Sequence, residues 1–281
     1  MNFWSSFISA LPFDWAQFGF MQNALLAILI VTPLFAFLGC MVINNQMAFF
    51  SDAIGHAGLT GIAIGALLGI ANPLWSMLIF ALILAIGITL LRRYSAASSD
   101  TVIGIVMSFT LALGIVILSR NGGFNRYSSF LIGDILSIAP REVMILLIVA
   151  AVFVTLWITN FNSIFLVSMN TSLARSRKMP VWIIQGIFAA ITALMVTISI
   201  QWIGILVINA LLILPATASR NLTRSMVGYL WLATAISLVS GVSGLVFSYY
   251  WSTATGATIV LISMFFYIIS LIIGRAIGRG N

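Results

Sequence analysis

The chain has 281 residues, of which 62% are hydrophobic and only 6% are charged. Ordinary soluble domains carry about 25% charged residues, so this composition excludes a water-soluble globular fold. The net charge of +7 arises from twelve basic residues that are spread along the chain, a distribution that does not indicate a nucleic-acid-binding surface.

The N-terminal residues 1–17 differ from the rest of the chain. They mix aromatic with polar side chains and lack the basic start of a signal peptide. We expect this segment to lie along the bilayer interface, held by Trp4, Phe7, Phe13 and Trp15. Residues 18–281 then form one transmembrane domain, with no room left for a soluble core.

Apolar segments of the length needed to cross a bilayer, about 20 residues, recur from residue 18 onward. The predicted spans are Phe18–Ile43, Ala53–Ile70, Leu74–Leu91, Thr101–Ser119, Glu142–Asn160, Val181–Ser199, Trp202–Ser219, Val227–Tyr249 and Ala257–Gly274. Between Arg120 and Arg141 lies a further apolar stretch that is too short to cross. We therefore predict an all-α, polytopic bundle of eight or nine transmembrane helices.

The basic residues orient this bundle. If the N-terminus is outside, the inner loops hold nine arginine and lysine residues and the outer loops hold three. Inner loops are normally enriched in these residues, so the C-terminus is predicted to be cytoplasmic. The inner loop 168–180 reads S-M-N-T-S-L-A-R-S-R-K-M-P. It is either a short surface helix capped by Asn170 or Thr171, or an ordinary basic loop.

One pair of ionisable residues stands out. The sole histidine, His56, follows Asp52 by four residues, which places both side chains on one face of a helix. An imidazole and a carboxylate can share a divalent cation, and only two ligands would suit a transit site that must release its ion. Alternatively, Asp52 with Ser51 caps the second span, and His56 bonds a carbonyl.

Other polar residues lie in or beside the predicted spans, and Asp134 and Asn209 with Pro215 leave two interpretations each. Asp134, in L-I-G-D-I-L, either lines a transport path or faces the outer water. Asn209 and Pro215 lie in one span, where the proline disrupts the helix for gating or for structure alone. Ser99 and Asp100 are predicted to cap the fourth span. Eight glycines and alanines between Gly55 and Gly69 favour close helix packing.

The chain is not expected to be an enzyme. Its single lysine, Lys178, is not part of a G-x-x-x-x-G-K-[ST] sequence, so the chain has no P-loop of its own. A lone histidine with five acidic residues offers little basis for an intramembrane hydrolase.

Four segments resemble one known family. They are S-D-A-I-G-H-A-G-L-T-G-I-A-I-G at Ser51–Gly65, S-S-D-T-V-I-G-I-V-M-S at Ser98–Ser108, F-L-I-G-D-I-L-S-I at Phe130–Ile138, and V-I-N-A-L-L-I-L-P-A-T-A-S-R-N-L-T-R-S at Val207–Ser225. In this order they resemble the ABC-3 family, the membrane permeases of zinc and manganese ABC importers.

The resemblance implies a permease subunit in the bacterial plasma membrane that forms a homodimeric or heterodimeric pore. A cytoplasmic ABC ATPase would drive it, and an extracellular metal-binding protein would feed it. It implies metal passage at Asp52 and His56, with Asp134 and Asn209 as possible pathway residues. The divalent metal would be the transported substrate, with no permanently bound cofactor. Asp134 favours zinc, with manganese or iron next.

The resemblance also implies a coupling helix in the loop 168–180. Its expected ATPase-docking residues are Ser172, Ala174, Arg175, Arg177 and Lys178. The loop departs from the family pattern because it has no acidic residue and because Lys178 stands where a glycine is common. The alternative function is a self-sufficient secondary metal transporter or channel, which would need no ATPase.

Overall fold

The structure is a computed structural model that describes residue 8 and residues 12–70, 72–120 and 133–277. These residues contain helices and no β-strand. The helices are α1 (Gly19–Asn44), α2 (Phe50–Leu67), α3 (Pro73–Tyr94), α4 (Ser99–Arg120), α5 (Pro140–Met169), α6 (Thr171–Ser176), α7 (Val181–Ile203), α8 (Ile205–Leu222), α9 (Met226–Trp251) and α10 (Thr255–Ala276).

Eight helices in the described part of the chain are long and apolar enough to cross a bilayer. The ninth long helix, α2, is not among the eight, since Asp52, His56 and four glycines interrupt its apolar sequence. The predicted all-α bundle of eight or nine spans is therefore confirmed.

Two helix boundaries differ from the predicted ones because of left-handed turns. Gln46 has a φ of 54° and follows the end of α1, and α2 then begins at Phe50 rather than at Ala53. Gly204 has a φ of 82° and separates α7 from α8, so the break lies after Trp202 rather than before it. Glycine adopts this conformation without steric cost.

The N-terminal segment is described only in part, since residues 1–7 and 9–11 lie outside the described residues. A 3₁₀ turn at Asp14–Gln17 precedes α1. Trp15 is buried there and stacks with Phe13 at a ring-centroid distance of 5.8 Å. The side-chain amide of Gln22 donates to the carbonyl of Ala16 at 2.8 Å, which ties the turn to α1.

The chain forms two compact units. The first unit comprises Met1–Cys40, Asp134–Val152 and Trp202–Asn281. Within it α8, α9 and α10 pack against one another. Gly39 of α1 meets the backbone of Leu212, an approach that only a residue without a Cβ permits.

The second unit comprises Met41–Gly133 and Phe153–Gln201. Its centre is α2, which packs against α3 and α4. Gly58, Gly61 and Gly65 of α2 lie directly against α3. The predicted packing role of these small residues is thereby confirmed at three positions.

Candidate functional site

Asp52 and His56 lie together on α2. The Nε2 atom of His56 is 3.4 Å from Oδ1 of Asp52, and the two side chains are 31% and 28% exposed respectively. Because α2 begins at Phe50, Asp52 lies in its first turn. The N-cap residue is Phe49, which makes no side-chain cap. The geometry therefore favours the paired interpretation of Asp52 over the capping one.

Burial along α2 singles out the same two residues. Between residues 51 and 65, every residue is buried except Asp52, His56 and Ile64. An ionisable side chain is costly to bury without a partner, and here both ionisable residues lie at the accessible positions. The pair is therefore not sealed within the packing of α2.

The face of α2 that carries His56 is fixed to α4 one turn beyond this residue. The hydroxyl of Thr60 donates to the carbonyl of Thr110 at 2.6 Å, in a buried position. Gly114 of α4 leaves no space for a Cβ against Thr60. This contact fixes the rotation of α2, because turning the helix would break the hydrogen bond.

Among the described residues, no group of three or more His, Cys, Asp or Glu side chains could hold a metal ion. Cys40 is buried and is a free thiol. Two protein ligands leave further coordination positions to water, which is typical of weak and exchangeable binding. The Asp52–His56 pair therefore suits passage of a metal better than its storage.

The two possible pathway residues belong to the first unit, and the structure describes them within that unit only. Asp134 is exposed, and its carboxylate accepts from the backbone N–H of Leu136 at 3.0 Å. Asn209 is half-buried in α8, six residues before the buried Pro215. Asp134 thus caps a 3₁₀ turn, whereas Asn209 stands within an apolar helix.

The loop 168–180 contains the short helix α6, so the helical prediction is confirmed there. The side chain of Asn170 caps α6 by accepting from the backbone N–H of Leu173 at 3.0 Å. Ala174 is fully buried, which anchors α6 against the second unit. The exposed members of the predicted docking set are Ser172, Arg175, Arg177 and Lys178.

Lys178 has a φ of 56°, in the left-handed region. Its backbone N–H donates to the carbonyl of Arg175 at 2.8 Å, and that of Met179 donates to Ala174 at 3.1 Å. Such a turn ends helices most readily at glycine. The geometry explains why glycine suits this position and shows that lysine keeps the same turn at a steric cost.

One arginine has more contacts than the sequence suggested. Arg92 donates through Nε to the hydroxyl of Ser99 at 3.0 Å and through Nη1 to the sulfur of Met47 at 2.9 Å. Its Nη2 donates to the carbonyl of Asn45 at 3.3 Å. The arginine thus ties the α1–α2 turn to α4, although the sequence marked it only as a basic residue of an inner loop.

The cap of α4 also differs from the predicted one. The hydroxyl of Ser98, rather than Ser99 or Asp100, accepts from the backbone N–H of Thr101 at 3.2 Å. Glu142 plays a similar part at α5, where its carboxylate accepts from the backbone N–H of Ala139 at 2.8 Å.

The length and composition of these helices define a multi-pass membrane protein. The chain belongs to the ABC 3 transport family, which it matches over residues 17–274. It is accordingly a multi-pass protein of the bacterial cell membrane.

Relatives of the chain differ in the metal that their names give. A probable iron transport system membrane protein of Haemophilus influenzae is 31% identical and is aligned over 92% of this chain and 97% of its own. The high-affinity zinc uptake system membrane protein ZnuB of the same organism is 31% identical over 91% of this chain and 98% of its own. A manganese import permease of Streptococcus parasanguinis is also similar.

A solved structure supports the fold. One chain of PsaBC from Streptococcus pneumoniae, in complex with a Fab, superposes with a TM-score of 0.77 at 30% identity. The superposition covers 91% of this chain and 92% of the other. The helix order described above is therefore that of an ABC permease.

Proposed function

We propose that the chain is the permease subunit of an ABC importer that carries a divalent metal ion into the cell. Zinc is the leading substrate, with manganese or iron next. The observation that carries the proposal is the accessible Asp52–His56 pair on α2, whose other residues between 51 and 63 are all buried. Relatives named as zinc, manganese and iron permeases support it.

The distance within the pair fits a shared zinc ion. Two ligand atoms that each lie about 2.1 Å from a tetrahedral zinc are about 3.4 Å apart. The Nε2 and Oδ1 atoms of His56 and Asp52 are already 3.4 Å apart. A zinc ion could replace the direct contact between them with little movement of either side chain, and water would complete its coordination.

Weak binding of the metal ion by the Asp52–His56 pair would then allow the ion to leave and pass on. A mixed imidazole and carboxylate site accepts zinc and other first-row metals, which agrees with the range of metals among the relatives. Asp134 and Asn209 are proposed as further pathway residues that carry oxygen ligands.

The energy for transport is proposed to come from a separate cytoplasmic ABC ATPase. The chain has no P-loop sequence of its own, and α6 presents an exposed, basic surface. We propose that this surface, within the loop 168–180, docks on the ATPase through Ser172, Arg175, Arg177 and Lys178. Ala174, which was also expected to dock, is fully buried and can only support the surface from beneath. An extracellular metal-binding protein would deliver the ion, and a second permease copy would complete the pore.

The test is metal uptake by proteoliposomes that contain the full chain, the ATPase and the binding protein. We expect zinc uptake only with ATP, and none when the ATPase carries a substitution of its P-loop lysine. Competition with manganese and iron(II) ranks the metals. Uptake by the chain alone, driven by a gradient, would contradict the proposal and favour a secondary transporter or channel.

A further inference from the structure

Three helices and the α6 loop border an open cavity of about 540 Å³ in the second unit. Its lining includes Arg92, Arg93, Ser99, Arg175, Trp182 and Gln185. A second cavity of about 370 Å³ shares Arg92, Ser99 and Gln185 with it. The volume is within the range of small-molecule binding sites.

The charge of this cavity is strongly positive. Three arginines line it and no acidic residue does. Asp100 is the one acid that interacts electrostatically with Arg92. Among the described residues, none of the three guanidinium groups forms an ion pair. At least two of the three positive charges therefore have no neutralising partner among the residues that the structure describes.

The N-termini of two helices add to the positive electrostatic potential of the cavity. The first residue of α4, Ser99, and the first residue of α7, Val181, both line the cavity. Each helix N-terminus carries roughly half a positive charge and offers backbone N–H donors. Guanidinium groups bind phosphate through paired hydrogen bonds. Together these features favour an oxyanion that accepts several hydrogen bonds, such as phosphate, over a halide.

Aromatic side chains border the same cavity. The Arg93 guanidinium lies 5.6 Å from the ring of Tyr94 and 5.7 Å from the ring of Trp182, and both rings are exposed. Tyrosine and tryptophan concentrate at the depth of lipid headgroups. Beyond Trp182, the exposed side chains of Ile183 and Ile187 continue along α7, where acyl chains could lie.

We propose that this cavity binds a phosphate group, carried either by an anionic phospholipid or by free phosphate. The phosphate would accept hydrogen bonds from Arg93 and Arg175, while Arg92 holds the wall through its bonds to Ser99 and Asn45. The proposal does not depend on the transported metal or on the Asp52–His56 pair. It adds an anionic ligand next to the loop that is proposed to meet the ATPase.

The test compares two double variants of the full-length chain purified in detergent. Arg93→Gln with Arg175→Gln removes two charges from the cavity. Arg224→Gln with Arg275→Gln removes two exposed charges elsewhere and serves as the control. Native mass spectrometry measures binding of phosphatidylglycerol and of phosphatidylcholine, and the thermal midpoint is measured against inorganic phosphate.

If the carrier is a lipid, the unmodified chain retains phosphatidylglycerol over phosphatidylcholine. The cavity variant then loses at least about tenfold in affinity, and the control does not. If the carrier is free phosphate, inorganic phosphate raises the midpoint of the unmodified chain and of the control only. Equal binding of both probes by the two double variants would overturn the proposal.

The proposal would also be overturned if the unmodified chain bound neither phosphate probe and the cavity variant lost only its capture of the ATPase. That outcome would assign the arginines to a protein contact. If the cavity variant fails to fold, phosphate binding is compared between the single variants Arg93→Lys and Arg93→Gln. Lysine keeps the charge and is expected to retain more phosphate binding than glutamine does. Equal binding by these two variants would contradict the proposal.

Discussion

Thr60 and Thr110 hold α2, the helix of the proposed metal site, in place, since the Thr60 hydroxyl donates to the Thr110 carbonyl at 2.6 Å. Thr60 lies one turn after His56, and two turns after Asp52, on a helix whose other face is packed against α3. The rotation of α2 that leaves Asp52 and His56 accessible therefore depends on a buried hydrogen bond to α4.

Replacing Thr60 tests this contact. Thr60→Val keeps the shape but removes the donor, and we expect it to lower the free energy of unfolding by about 1 kcal/mol. Thr60→Ser keeps the hydroxyl and should lose clearly less. The measurement is the thermal midpoint of the purified chain. A valine variant as stable as the serine variant would show that the hydrogen bond contributes nothing.

Metal binding by Asp52 and His56 should weaken as the pH falls. Histidine ligates a metal only in its neutral form, and Asp52 beside it favours the protonated imidazole. Zinc affinity of the purified chain is expected to fall at least about tenfold between about pH 8 and about pH 5.5. His56→Gln should bind zinc weakly at both values. An unchanged pH profile in that variant would exclude His56 as the titrating ligand.

Lys178 carries conformational strain that glycine would relieve. A left-handed conformation costs a side-chain-bearing residue about 1–2 kcal/mol, while glycine costs about 0.5–1 kcal/mol in chain entropy. Lys178→Gly should therefore raise the free energy of unfolding by up to about 1 kcal/mol.

The matched control for this variant is Arg177→Gly. Arg177 precedes Lys178 and has a negative φ of −84°, so glycine relieves no strain there and should lower stability slightly. Thermal midpoints distinguish the two variants. Equal shifts of the same sign would argue against strain at Lys178.

The contact of Gly39 with Leu212 should tolerate no side chain. A methyl group at Gly39 would overlap the carbonyl of Leu212, so Gly39→Ala is expected to destabilise the chain by about 1–3 kcal/mol. Gly87→Ala is the control, since nothing lies within 4 Å of a Cβ there. That variant should be neutral or slightly stabilising. A harmless Gly39→Ala would mean that α1 and α8 separate easily.

The helices and the proximity of Asp52 and His56 could be predicted from the sequence alone, because both follow from the local spacing of residues. Apolar length predicts a span, and a four-residue separation places two side chains on one face whatever surrounds them. The glycines of α2 likewise indicated close packing, and three of them meet α3.

What the sequence could not supply depends on backbone turns and distant contacts. The turn at Gln46 moved the start of α2, and Gly204 divides α7 from α8 two residues after the predicted start of the next span at Trp202. The contacts of Arg92 join residues that are 45 and 47 positions apart. No local sequence pattern indicates contacts between residues so far apart in the chain, so the sequence could not predict the arginine-lined cavity.

The most direct test of the metal pathway is ATP-driven zinc uptake by three variants in the complete importer. Asp52→Asn and His56→Gln remove the two ligands, and we expect the initial rate to fall at least about tenfold in each. Ile64→Ala changes the third accessible position between residues 51 and 65 and should keep a rate close to that of the unmodified chain. If Asp52→Asn and His56→Gln transport zinc as fast as Ile64→Ala does, the pair is not the transit site.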